Sequence, residues 1–498
     1  MSASLLAASV PLPPRIHRAR GQVTVALLVL ATWLGMPGIA QAHGALKRST
    51  PKAGASLDTI PRELRLEFSE QLELRLTKLV LAGSGGGIVA LGTLAFGDNT
   101  RRVVLAAPTT ELAPGRYEVR WQTAGADGHP TRGRFTFTIR PNAVRAAPPP
   151  PATPPRTGAA GTIILKSDSL VGAATTAGSE QLAPDEASFF NERSLAYVVV
   201  RWLQYLAVFL VVGAFVFTRV VLARAVAPSD AAVSFVAAAR DRALRIGAGA
   251  SVALIALQFA RFLAQRTALQ GSGDFAMEVA VADMLIGSPW GTGILLIVLG
   301  GGIASFGYRK MLASSGDASV PVAVALVAIA VGLGLSGHQA ASPLGAPLAV
   351  GLNALHVLGT AGWLGTLALL VLTGLPIAAA VESFDHEQVA AILHVFSPVV
   401  LIAAAVAGAT GVTLAAANVG SVPALWQSEY GRLLLVKLAV LSIVAGTGAY
   451  NWRRVLPTLG TPVATRALRR SASVEAVVAI LVVAVTSVLV ATPTEAMR

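Results

Sequence analysis

Ala40-Gln41-Ala42-His43-Gly44 divides this chain, because the residues on its two sides obey different physics. Upstream, Arg15, Arg18 and Arg20 lead into the apolar run Val23-Thr24-Val25-Ala26-Leu27-Leu28-Val29-Leu30. A basic stretch, a short apolar core and small residues at 40 and 42 together read as a secretory signal peptide over residues 1–42. The run falls short of the roughly 20 residues that a membrane span needs. Cleavage after Ala42 would start the mature chain at His43 and put a free α-amine beside an imidazole, a bidentate nitrogen ligand. The plain alternative is a frayed first residue.

The 498 residues are 54% hydrophobic and 13% charged, with a mean hydropathy of +0.65. Soluble proteins carry about a quarter charged residues, so this balance indicates an integral membrane protein. A formal charge of +13 can signal nucleic acid. Beside an export signal and apolar spans it reads instead as the positive bias of cytoplasmic loops. Cysteine is absent, which excludes disulfides and thiolate metal sites. Any metal must be held by His, Asp, Glu, Met, a terminal amine or the backbone.

Residues 43–140 alternate apolar and polar side chains with period two. Leu64-Arg65-Leu66-Glu67-Phe68, Tyr117-Glu118-Val119-Arg120-Trp121 and Phe135-Thr136-Phe137-Thr138-Ile139 each present one apolar face. Gly85-Gly86-Gly87 and Pro114-Gly115 read as turns. Several short strands of this kind predict an antiparallel, all-β sandwich. Between the last two strong strands lies Asp127-Gly128-His129-Pro130. In extended backbone alternate side chains point the same way, so Asp127 and His129 can share one centre. Adding His43 gives up to three nitrogens and one oxygen, a set suited to tetragonal Cu(II). Asp-Gly is also ordinary turn chemistry, and the triplet by itself leaves that alternative open.

Pro148-Pro149-Pro150-Pro151 and Pro154-Pro155 favour extended polyproline geometry, and the rest of residues 141–193 is rich in Ala, Gly, Ser and Thr. That stretch reads as a tether. Residues 194–492 then contain eight apolar stretches long enough to span, near 195–222, 244–263, 291–308, 319–336, 347–373, 391–417, 431–452 and 474–492. Arg224, Arg240, Arg242, Arg309, Lys310, Arg453, Arg454, Arg466, Arg469 and Arg470 fall in the loops assigned inside, which fits the positive-inside rule. The acidic inside loop 374–390 does not contribute.

Ionisable groups within spans are functional candidates. His338 ends the fourth span and His356 lies within the fifth, both toward the outer side. His394 reads as a boundary residue. Arg201 and Lys437 either snorkel to headgroups or set the charge of a path. Met277 and Met284, seven apart, share a face if helical and offer soft ligands for Cu(I); packing is the commoner role of such methionines.

Two resemblances sharpen this reading. Residues 43–140 resemble the CopC copper-binding family, through the first mature His43, Ser49-Thr50-Pro51-Lys52-Ala53-Gly54-Ala55, Leu66-Glu67-Phe68-Ser69-Glu70, Gly115-Arg116-Tyr117-Glu118-Val119-Arg120-Trp121, Ala126-Asp127-Gly128-His129-Pro130 and Gly133-Arg134-Phe135-Thr136-Phe137. The resemblance implies an Ig-like or cupredoxin-like Greek-key sandwich, with His43, Asp127 and His129 as Cu(II) ligands. Some members add a methionine-rich Cu(I) site; with no methionine in residues 43–140, a single Cu(II) site is expected.

The second half resembles the CopD family of copper-resistance membrane proteins. The matching segments are Gly334-Leu335-Ser336-Gly337-His338, Leu355-His356-Val357-Leu358-Gly359-Thr360-Ala361-Gly362-Trp363-Leu364-Gly365 and Tyr430-Gly431-Arg432-Leu433-Leu434-Leu435-Val436-Lys437-Leu438. The order is that of CopC–CopD fusions. It implies a non-enzymatic copper importer of the bacterial cytoplasmic membrane, with its sandwich on the periplasmic side. Its partners would be copper ion, the lipid bilayer and a periplasmic copper donor or reductant, with no nucleic acid. His338, His356, Met277 and Met284 are then candidates for a membrane relay, in which copper travels as Cu(I). The competing readings are a copper buffer or sensor without transport, a copper-brace oxidase, and a haem-bearing carrier. His356 and His394 lie at opposite depths, which suits one haem badly.

Overall fold

Leu64, Leu66 and Phe68 are buried while Arg65 and Glu67 between them stay partly exposed, as period-two patterning demands of a strand with one buried face. Tyr117, Val119 and Trp121 repeat the pattern, as do Phe135, Phe137 and Ile139. A computed structural model describes residues 46–125, 128, 130–145, 179–181, 194–224, 230–270, 280–342, 344–376, 386–455, 457 and 462–492. The expected signal peptide, His43, Asp127, His129 and Met277 lie outside the described residues.

Among the described residues ten strands follow in chain order. They are β1 (Leu46–Thr50), β2 (Ser56–Ile60), β3 (Leu64–Phe68), β4 (Lys78–Gly83), β5 (Ile88–Val89), β6 (Ala95–Phe96), β7 (Val103–Ala106), β8 (Gly115–Ala124), β9 (Pro130–Arg145) and β10 (Ser179–Gln181). One sheet has the order β1-β3-β7-β6 and the other β10-β9-β8-β4-β5, with β2 also pairing β9. The β2–β9 pairing is parallel, and all the others are antiparallel. Between the sheets the Phe68 ring meets Trp121 edge-on at 5.0 Å, and within one sheet Tyr117 of β8 stacks on its cross-strand partner Phe137 of β9 at 5.4 Å. Such aromatic pairs add about 0.5–1.5 kcal/mol beyond area burial. The Tyr117 hydroxyl donates to the Ala113 carbonyl at 2.8 Å, pinning the corner that leads into β8. Gly86, at φ +76°, turns β4 into β5 where the sequence places its three glycines.

From residue 194 on, the described residues are mostly helical. The principal helices are α1 (Leu195–Val216), α2 (Asp230–Gln270), α3 (Pro289–Leu312), α4 (Ser319–Leu335), α5 (Ala346–Thr360), α6 (His386–Val419), α7 (Glu429–Tyr450) and α8 (Pro462–Ala491). Among the described residues seven segments are long and apolar enough to cross a membrane: Leu195–Arg224, Ala232–Gln270, Pro289–Leu312, Ala346–Gly374, Ile392–Val419, Glu429–Arg454 and Arg470–Ala491. The expected fourth span, near 319–336, forms a shorter apolar helix of 17 residues. Its length of about 26 Å, at 1.5 Å per residue, falls short of a hydrocarbon core of about 30 Å. The chain turns out of it at Ser336-Gly337 into a 3₁₀ turn, His338–Ala341.

Small residues let these helices approach closely, as in membrane bundles generally. A Cβ added at Gly213 of α1 would lie 2.3 Å from the Gly365 carbonyl carbon, and one at Gly293 of α3 would lie 2.5 Å from the Gly332 oxygen of α4. The α5 span contains two π-helical turns, Ala361–Gly365 and Leu370–Gly374, the first at the Gly213 contact.

Candidate functional site

Gly128 carries the geometry of this site, because it stands between the two expected ligands Asp127 and His129. Its amide donates to the Gly125 carbonyl at 2.9 Å, and its φ of +88° is a conformation that side chains rarely adopt. A Cβ there would sit 2.9 Å from Cγ and Cδ1 of Trp290, so this turn of the sandwich rests directly on an indole of the helical region. The Gly128 carbonyl also accepts a hydrogen bond from the Gln265 side chain on α2.

The helices supply a prepared platform. Trp290 follows Pro289 in the first turn of α3, and the capping Ser288 hydroxyl accepts from the Gly291 amide at 3.0 Å. Proline at the first helical position and serine at the cap both favour a helix start here. Beside Gly128, Leu76 and Ala124 of the sandwich pack with Leu269, Met284, Trp290 and Ile294 in one buried apolar cluster. Gln122 of β8 donates to the Leu269 carbonyl near the end of α2. At the rim Arg75 faces Asp283 at 3.5 Å, an exposed pair worth little by itself. Sandwich and helices accordingly belong to one compact unit. Met284 is buried in this cluster as an apolar side chain.

From Gln265 a polar row descends one face of α2. Gln265, Arg261 and Gln258 are separated by four and three residues, and each is at most 1% exposed. Arg261 donates to Gln258 Oε1 at 3.2 Å, to the Ser336 carbonyl at 3.2 Å and to the Ser336 hydroxyl at 3.5 Å. Two residues beyond Ser336, buried His338 places Nε2 3.0 Å from the Val490 carbonyl. A carbonyl only accepts, so Nε2 is the donor in this bond.

His356 lies in a different setting. Its Nδ1 donates to the Ala407 carbonyl at 2.9 Å, with the Thr410 hydroxyl at 3.4 Å, which leaves the Nε2 lone pair. Lys437 is close enough to act on it electrostatically, an unfavourable neighbour for a metal cation. His394 is exposed, and Arg201 is buried against Tyr205, its guanidinium 5.6 Å from the ring centre. Among the described residues, no three His, Asp or Glu side chains converge as a metal cluster.

On the sandwich side Glu73 lies at the end of β8 leading to the Gly128 turn, its amide donating to the Ala124 carbonyl at 2.9 Å. Burial pushes its carboxyl above the ordinary value, and Arg101 at 3.1 Å pulls it partly back. The platform residues Gln265 and Trp290 and the buried Arg261, Gln258 and Gln204 were not singled out on sequence. A detectable signal existed for three of them: Gln258, Arg261 and Gln265 share one helical face inside an otherwise apolar stretch.

Comparison with known proteins separates the same two parts. The family model of the CopC domain matches residues 46–140, and that of copper resistance protein D matches residues 390–489. Copper resistance protein C of Escherichia coli is 30% identical over 122 residues, which cover 23% of this chain and 95% of that protein. Copper transport protein CutJ of Bacillus subtilis strain 168 is 23% identical over 113 residues, covering 23% of this chain and 21% of that protein. The crystal structure of PcoC, a methionine-rich copper resistance protein from Escherichia coli, matches at 31% identity and a TM-score of 0.18. That match covers 20% of this chain and all of the other.

Proposed function

The chain belongs to the CopC family through its sandwich, which is fused to a CopD membrane region, and from that premise we propose a copper importer that delivers by docking. His43, Asp127 and His129 capture Cu(II) on the periplasmic face of a bacterial cytoplasmic membrane, after signal cleavage exposes the His43 amine. Eight spans, the 17-residue helix among them, then pass copper inward. His338 is the receiving ligand nearest the docked turn, His356 a deeper one, and Met284 a packing residue of the junction. A Cu(II) capture site feeding soft ligands requires a periplasmic reductant or donor.

One observation carries this reading: Gly128, held between two of the capture ligands, is seated on Trp290 and bonded to Gln265 of the membrane region. A free binding domain has no need of that seat. The copper transport protein among the relatives is matched over about a fifth of its length, which supports the reading at the level of the sandwich alone. The buried Arg261 guanidinium below the turn favours a second reading, a copper buffer or sensor, because a fixed positive charge opposes a passing cation.

Copper flux into vesicles of known orientation, measured on the full chain, separates the two. His129→Ala should cost Cu(II) affinity by orders of magnitude and lower inward flux with it. Gln265→Leu should leave Cu(II) binding intact and slow the flux several-fold. Wild-type flux in both variants would overturn delivery through the docked turn, and an absence of inward flux in the parent would leave the buffer reading.

A further inference from the structure

Arg261 is the largest fully buried side chain among the described residues, and it lies within an apolar helix. Its bonded partners are neutral: Gln258, the Ser336 hydroxyl and carbonyl, and the Tyr197 hydroxyl. Among the described residues no carboxylate comes within ion-pair distance of it. Arg201 of α1 adds a like charge that is felt at the same guanidinium. An uncompensated charge away from water costs far more than neutral hydrogen bonds return, so such groups are ordinarily paired.

The surrounding amides are also unsatisfied. Arg261 Nε, Gln258 Nε2 and both side-chain amide atoms of Gln204 are buried with no hydrogen-bond partner among the described residues. Gln204 and Gln258 are 0% exposed. Consecutive spans run in opposite directions, so moving from Arg201 to Gln204 on α1 matches moving from Arg261 to Gln258 on α2. That register sets Gln204 level with Gln258, one turn below the guanidinium. Water would satisfy the N–H groups and leave the charge unopposed; an anion answers both requirements at once.

We propose that Arg261, Gln258 and Gln204 form a binding site for a small monovalent anion, of the halide or short-carboxylate class, beneath the docked turn of the sandwich. Three buried donors without acceptors, on the packed helices α1 and α2, accompany a guanidinium with no carboxylate in ion-pair distance among the described residues, one to two turns of α2 from the Gly128 contact. The site stands independently of the copper reading. If that reading also holds, the bound anion cancels a charge that would otherwise repel the cargo as it leaves the sandwich.

The test uses the full chain in detergent or nanodiscs, with sodium chloride, bromide or formate replacing sodium gluconate at constant ionic strength. A saturable rise in thermal midpoint is expected with the small anions, at least tenfold weaker in half-saturation for Gln204→Leu and absent in Arg261→Gln. Should Arg261→Gln fail to fold, bromide-soaked crystals of the unaltered protein decide the matter by anomalous scattering. A peak within hydrogen-bond reach of Arg261 Nε supports the site. The proposal is overturned by gluconate matching chloride, by an equal halide response in Gln204→Leu, or by no bromide at Arg261.

Discussion

The side-chain amide of Gln265 donates to the carbonyl of Gly128, so a residue of the second long helix holds the one position that separates Asp127 from His129. A hydrogen bond of this kind contributes about 0.5–1.5 kcal/mol net. Gln265→Leu should therefore weaken docking about three- to tenfold. The chain has no cysteine, so a pair placed at Arg75 and Asp283, which face each other across the rim, gives a background-free reporter. Crosslinking by a short bismaleimide should be efficient in the parent and several-fold slower with Gln265→Leu. Equal rates would show that the bond does not hold the seat.

Gly128→Ala should be more damaging. Its left-handed φ costs a side-chain-bearing residue about 1–2 kcal/mol. The added methyl also meets the Trp290 ring at 2.9 Å. The same crosslink should fall below the Gln265→Leu level, and Trp290→Ala should restore part of it by removing the clash while leaving the backbone cost. No rescue would place the whole penalty in the turn.

Trp121→Ala should destabilise the sandwich by about 3–5 kcal/mol, since the ring is buried and meets Phe68 edge-on. Arg140→Ala removes an exposed pair with Asp58 and should cost less than about 1 kcal/mol. Urea midpoints of the sandwich transition measure both. Similar losses in the two variants would contradict this core.

Glu73 gives a pH dependence with a definite sign. Burial raises its folded-state value above the ordinary 4.5, so the folded chain holds this proton more tightly than the unfolded one. In the window just above 4.5 the folded state binds more protons, and the Glu73 contribution to stability falls as pH rises through it. Relative to Glu73→Gln, the wild-type sandwich should lose stability from the acidic to the neutral side of that window. An opposite slope in paired urea titrations would mean that Arg101, rather than burial, dominates the site.

The strands were legible because alternation in Leu64–Phe68, Tyr117–Trp121 and Phe135–Ile139 is a local property with one outcome. The parallel β2–β9 pairing was not, since pairing partners far apart leave no trace in a single strand. The apolar stretches gave the helices, but the short fourth one shows that hydropathy places a helix more securely than it counts a crossing. The candidate metal residues His43, Asp127 and His129 were visible as chemistry. Their seat was not, because Trp290 and Gln265 matter only through a contact between residues more than a hundred positions apart. Arg261 could have been noticed, as an ionisable group in an apolar run is conspicuous on its own.

The 41 residues of α2 would extend about 61 Å, roughly twice the thickness of a hydrocarbon core. A rod of that length works as a mast whose height and azimuth are set by counting peptide units. Inserting one alanine between Gln258 and Gln265 would swing the tip by about 100° and raise it by about 1.5 Å, turning the glutamine away from its carbonyl. Trimming the proline-rich chain between 146 and 178 would leave that alignment untouched. The seat of the Gly128 turn is thus indexed by a screw, the residue count of α2.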